Sequence, residues 1–139
     1  MREILFRGKK ANTKEWVEGG IIPLDVDSGY VFISEPFLSA STLPVYEIVK
    51  NHTHLVLPES VGQFTGVTDR KGTKIFEGDI LIFDDMGVYP VWWDSDYYAF
   101  GSCWFSDFDP LHKYDQSKIE VIGNIHDNPE LLVQEEEEI

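Results

Sequence analysis

The chain has 139 residues, of which 42% are hydrophobic and 14% aromatic. That suffices for one ordinary domain whose core needs neither disulfides nor a structural metal, and it excludes a disordered polymer. The formal charge of −14 repels phosphate backbones and argues against general nucleic-acid binding.

A lone cysteine, Cys103, excludes an internal disulfide. No apolar run approaches the ~20 residues of a membrane helix, and the start MREILFRGKKANT lacks the apolar stretch of a secretion signal. A soluble, cytoplasmic protein is expected, with no contact to a membrane. The charge is uneven. Residues 1–14 carry five basic residues against one acidic residue, a net +4, which leaves −18 on the rest.

In chain order the pattern is β-rich. EILFRG reads as a first strand, and WVEGGIIPL as a second, whose Gly pair suggests a bulge or bend. YVFIS is a third strand. PFLSASTLP, residues 36–44, is a loop. VYEIV and HLVLP are short strands before a turn at Pro58 and Glu59.

The second half is more regular. GQFTGV is a strand, TDRKGTK a hairpin loop and KIF its return. EGD is a tight corner. ILIF is apolar throughout and should be buried. Pro90 in VYPVWWD cannot donate to a ladder, so that strand lies at an edge or bulges there. YYAFGSCWF is another strand, SDFDPLHKYDQSK a polar loop and IEVIGNI the last strand. In DNPELL, Asn128 can cap a short helix, with Pro129 at its first position. QEEEEI is a like-charge tail expected to be disordered. Strands at this spacing suggest a small barrel or sandwich. The expected organisation is an N-terminal β region over residues 1–58, a small barrel with its terminal helix over 59–132 and an acidic tail over 133–139.

The stretch VGQFTGVTDRKGTKIFEGDIL invites a reading as a site. A phosphate loop needs Gly-Lys-Ser/Thr between a strand and a helix; here Gly72 precedes Thr73 and Lys74, and a strand follows. The spacing of Asp69, Glu77 and Asp79 does not match a calcium loop. Gly66, Asp69, Gly72, Gly78 and Asp79 therefore read as turn-forming residues, with Glu77 and Asp79 capping backbone N–H groups in solvent.

His52 and His54 stand at i and i+2, on one face of a strand, and are the candidate metal ligands; His112 and His126 are distant in sequence. Two ligands fall short of a site. Trp92, Trp93, Tyr97, Tyr98, Phe100, Trp104 and Phe105 form an aromatic band. The acidic residues around it disfavour base stacking, so Trp92, Trp93, Tyr97, Tyr98 and Trp104 are candidates for contact with a protein partner or a second copy. Trp92 and Trp93 point to opposite sides. Cys103 reads as an inert, buried thiol.

At Gln63, Phe64, Thr65, Gly66, Asp69, Gly72, Phe76, Glu77, Gly78, Asp79 and Ile80 the chain resembles the YopX family, small proteins of phages and prophages in Gram-positive bacteria. Phe6, Arg7, Gly8 and Trp16 look like its opening; Gly123, Asn124, Ile125, Asn128 and Pro129 look like its close. The resemblance spans about residues 1–132 and is weakest over 36–58. It implies a mainly β fold whose C-terminal part is a small barrel of the Src-homology-3 type. It implies no established enzyme activity, cofactor or catalytic residue.

The expectation is a non-enzymatic phage or prophage accessory protein that works by protein contact or as a homo-oligomer. Alternatives are an acidic decoy for a basic, nucleic-acid-binding host protein, a metal-dependent hydrolase using His52 and His54, and local nucleic-acid contact by the basic N-terminal arm.

Overall fold

The structure, a computed structural model, describes residues 4–25, 30–35, 52–84, 87–94, 99–104, 107–111 and 115–132. The fold is mainly β, made of antiparallel sheets, with a short helix near the C-terminus, in agreement with the periodicity of the sequence. The chain divides into two compact units, Met1–Gln63 and Phe64–Ile139.

The first unit is a meander of β1 (Phe6–Lys9), β2 (Trp16–Asp25), β3 (Tyr30–Ser34) and β4 (Thr53–Val56), ordered β4-β3-β2-β1. Alternation sends Val17, Ile33 and Val56 to one side, where they are buried with Phe6, Val31 and Val61 packed against them. The sheet curls until its outer strands meet. Lys10 bridges Val56, the Ala11 N–H donates to the Leu55 carbonyl at 2.9 Å, and the Leu57 N–H donates to the Lys9 carbonyl at 2.8 Å.

The expected bulge at the Gly pair is absent. Gly19 and Gly20 stay in register, opposite Phe6 and Ser34, and the irregularity falls between Pro23 and Asp25. Gly19 serves close approach instead, since a Cβ there would lie 2.0 Å from the Ser34 carbonyl oxygen. The loop 36–44 and the strand expected at VYEIV lie outside the described residues. A 3-10 turn, Pro58–Ser60, leads into β5 (Gly62–Thr68), whose Gly62 and Gln63 pair with Arg7 and Phe6 of β1.

In the second unit Phe64 and Thr68 of β5 pair with β6 (Lys74–Phe76). β7 (Asp79–Phe83) lies between β8 (Gly87–Pro90) and β12 (Ile119–Asn124). β10 (Ala99–Trp104) lies between β9 (Trp92–Asp94) and β11 (Asp107–Pro110). These pieces wrap one core of Ile75, Leu81, Phe83, Val91, Phe100, Leu111 and Ile119. The arrangement is barrel-like, although among the described residues the ladders do not join into a closed ring. Pro90 sits at the end of β8, an edge strand, where its missing N–H removes no ladder bond.

Three local expectations need correction. ILIF is not buried throughout, because Ile82 faces outward and is 37% exposed. The polar loop at SDFDPLHKYDQSK contains β11, where Phe108 stands opposite Cys103 of β10; the pairing partner supplies the strand that local composition hides. Asn128 does not cap the helix with its side chain. Its Oδ1 accepts from the Asn124 N–H at 3.2 Å, while its carbonyl accepts from the Leu131 N–H at 3.1 Å. The tail 133–139 lies outside the described residues.

The stretch from Gly66 to Asp79 is built as a scaffold. Gly66, Gly72 and Gly78 take φ values of 89°, 81° and 92°, in the region that disfavours side chains. Asp69 is buried. Its Oδ1 accepts from the N–H groups of Lys71 and Thr73, both at 2.9 Å, which closes the turn. Its Oδ2 accepts from the Val121 N–H of β12 at 2.9 Å. Asp79 is not solvated as expected but buried, and its Oδ2 accepts from the Phe76 N–H at 2.7 Å, which ties the Glu77–Gly78 corner.

Burial works against ionisation of Asp69, but the bonds from Val121, Thr73 and Lys71, with the Lys71 charge, hold its carboxyl below the usual aspartate range. The folded pKa is depressed, so its stabilisation is complete above the unfolded pKa of ~3.9 and is lost as pH falls through the folded value. Asp69→Ala should cost about 3 kcal/mol at neutral pH, because three N–H groups lose their acceptor. Urea unfolding at neutral and acidic pH measures it, and the difference from wild type should shrink toward the acid end. Gly19→Ala should cost at least ~2 kcal/mol by forcing strands apart, while Gly20→Ala, with nothing within 4 Å of the added atom, should stay within about 1 kcal/mol.

Candidate functional site

Antiparallel pairing of β3 and β4 sets Ile33 opposite His54 and Ser34 opposite Thr53. The residue after β3 therefore meets the residue before β4. The Glu35 N–H donates to the His52 carbonyl at 2.8 Å. The Glu35 Oε2 lies 2.9 Å from the His54 Nε2 and 3.7 Å from the His52 Nδ1. One carboxylate oxygen thus bonds His54 and lies close to His52.

The sequence reading paired the histidines but missed Glu35. The signal was available: two strands joined in register, with Glu35 one step past YVFIS and His52 one step before THLV. The hydrogen bond from His54 is the main cause that keeps the Glu35 carboxyl below the usual glutamate range. Partial burial opposes it, and the charges of His54, Lys10 and His52 add to it.

The cluster opens onto a cleft of about 540 Å³ lined by Lys10, Trp16, Val17, Glu18, Glu35 and His52. Trp16 is covered by cations, with the Arg7 guanidinium 4.7 Å and the Lys9 ammonium 5.6 Å from its ring centre. A carboxylate-bound imidazole can hold and pass a proton. No group of three His, Cys, Asp or Glu among the described residues is arranged to hold a metal ion.

In the second unit, Phe100 of β10 pairs with Trp93 of β9. Phe100 is buried, whereas Trp93 is 41% exposed and meets the Phe100 ring edge-on at 5.0 Å. Trp92 is half-buried. Trp104 lies on β10, and its side chain falls outside the described residues, as do Tyr97, Tyr98, Phe105 and His112 entirely. Cys103 is described by its backbone alone, in β10.

Carboxyl-carbon NMR should place the Glu35 titration midpoint below the ordinary glutamate range in wild type. His54→Leu should move it upward, because the donor that lowers it most is gone. An unmoved midpoint would show that the contact does not govern the carboxylate.

A search of curated proteins finds no match. Among solved structures, the crystal structure of protein EF1440 from Enterococcus faecalis is similar. The identity is 26%, the match covers 95% of this chain and 99% of that one, and the TM-score is 0.58. The family model described as YopX protein matches residues 5–133, and with nearly the whole length covered the chain belongs to the YopX family.

Proposed function

We propose that this protein is a phage-type accessory protein that acts in the host cytoplasm by binding protein, without catalysis and without a cofactor. The observation that carries the reading is Trp93. A tryptophan is expensive to leave in water, and this one is 41% exposed on β9, which among the described residues pairs only with β10. Its ring is braced edge-on against buried Phe100, so it is pre-positioned for contact. Tryptophan is among the residues enriched at the energetic hot spots of protein interfaces.

Charge division supports a second reading, in which the partner is a basic, nucleic-acid-binding host protein. Residues 1–63 carry six Lys and Arg against eight Asp and Glu, a net −2. Residues 64–139 carry five against seventeen, a net −12. The unit that displays Trp93 is thus the strongly acidic one. Such an acidic unit speeds encounter with a basic surface, and binding would weaken with salt.

Affinity capture from host cells that produce the protein tests both. Wild type should retain a specific partner, and Trp93→Ala should reduce the retained amount at least about tenfold while its circular dichroism at the capture temperature remains that of the folded protein. A bait that retains nothing specific, or a variant that retains as much as wild type, overturns the reading. A captured partner whose binding ignores salt excludes the acidic-decoy version.

A further inference from the structure

We propose that two copies of this chain pair face to face through the outward side of the N-terminal meander. Residues directly opposed in an antiparallel ladder share one face of the sheet. Ile22 stands opposite Phe32, and Phe32 stands opposite Leu55. The three therefore form one apolar row across β2, β3 and β4. Ile22 and Leu55 are each more than a third exposed, and Phe32 is half-buried. The reverse side of the same strands already holds the buried Val17, Ile33 and Val56. An antiparallel sheet with one solvated face normally puts polar side chains there; Glu18 of β2 and Arg7 and Lys9 of β1 follow that rule, and the row across β2, β3 and β4 departs from it.

The next row on that face is Gly20, Ser34 and Thr53, again in register and again uncharged. Six adjacent positions thus carry no charge in a chain that is 26% charged. The small second row lets another sheet approach.

The row matches itself, which points to a second copy as its occupant. It reads aliphatic, aromatic, aliphatic, with Phe32 in the middle. Under a two-fold axis through Phe32, Ile22 of one copy meets Leu55 of the other, and the two Phe32 rings meet at the axis. Electrostatics favour the same pairing. Two copies of net charge −14 repel, and they repel least through the unit that carries −2 rather than −12. A strongly charged partner gains nothing from these six uncharged positions.

Area sets the strength. Three strands spaced ~4.8 Å apart and two side-chain rows bury only a few hundred Å² per copy, below the ~800 Å² of a stable interface. The dimer is therefore weak and forms at high local concentration. This inference deepens the protein-binding reading and rests on it for its biological use, but it employs a different surface, so either can fail alone.

Sedimentation velocity on the full chain, from about 10 µM to about 1 mM and at low and high salt, is the test. Wild type should shift from monomer toward dimer as concentration rises. The shift should grow with salt, because screening removes the repulsion between copies. Leu55→Lys should stay monomeric with an unchanged unfolding midpoint. Adding Ile22→Glu to it should restore pairing, because the introduced carboxylate of one copy would then face the introduced ammonium of the other. Trp93→Ala should dimerise like wild type. A wild type that is monomeric at every concentration and salt level overturns the proposal. So does a Leu55→Lys variant that dimerises as well as wild type.

Discussion

The second unit depends on one buried carboxylate. Asp69 opens a turn that only Gly72 can close, and its two oxygens reach in two directions. One satisfies the turn's own N–H groups, and the other holds Val121 in the last strand, 52 residues away. Around Val121 the register between β12 and β7 slips before Gly123. Val121 itself stays paired with Leu81, and its N–H points to the other edge of β12, where the Ile119 carbonyl also accepts from the Arg70 N–H at 3.0 Å. A donor on that edge needs an acceptor outside the ladder, and Asp69 supplies it. The edge of β12 and the tight turn after β5 are thus satisfied by the same side chain. The outer contacts of Arg70 with Asp84 and Glu120, on partly exposed side chains, add little by comparison.

Much of this architecture was readable from local chemistry. Glycines at 66, 72 and 78 announced positive φ, and alternating apolar residues announced the strands that flank them. The misses share one cause, which is that distant partners decide. β11 is a strand because β10 lies beside it, although its own residues read as loop. Asn128 has the right type and place for a helix cap, yet the Asn124 N–H takes its side-chain oxygen first. Asp79 looked like a solvated corner residue, and burial became tolerable only because the Phe76 N–H points at it. Gly19 looked like a bulge, and its real constraint is a carbonyl on another strand.

The candidate sites were legible in the same unequal way. His52 and His54 were visible as a pair on one face, while their carboxylate partner required the pairing of β3 with β4. That a tryptophan in the aromatic band would stay partly outside followed from strand alternation alone. Which one it would be did not. The apolar row of Ile22, Phe32 and Leu55 is invisible along the chain, because its members come from three strands and adjoin only through register.

β5 belongs to two ladders at once. Its Gly62 and Gln63 complete β1, and its Phe64 and Thr68 complete β6. The border between the compact units therefore runs through a strand and not through a linker. A cut between Gln63 and Phe64 would leave β1 paired with a two-residue stub, and would make Phe64, the partner of Phe76, a free chain end. Dissecting the molecule into halves calls for fragments that overlap through residues 62–68, with the shared strand present in both.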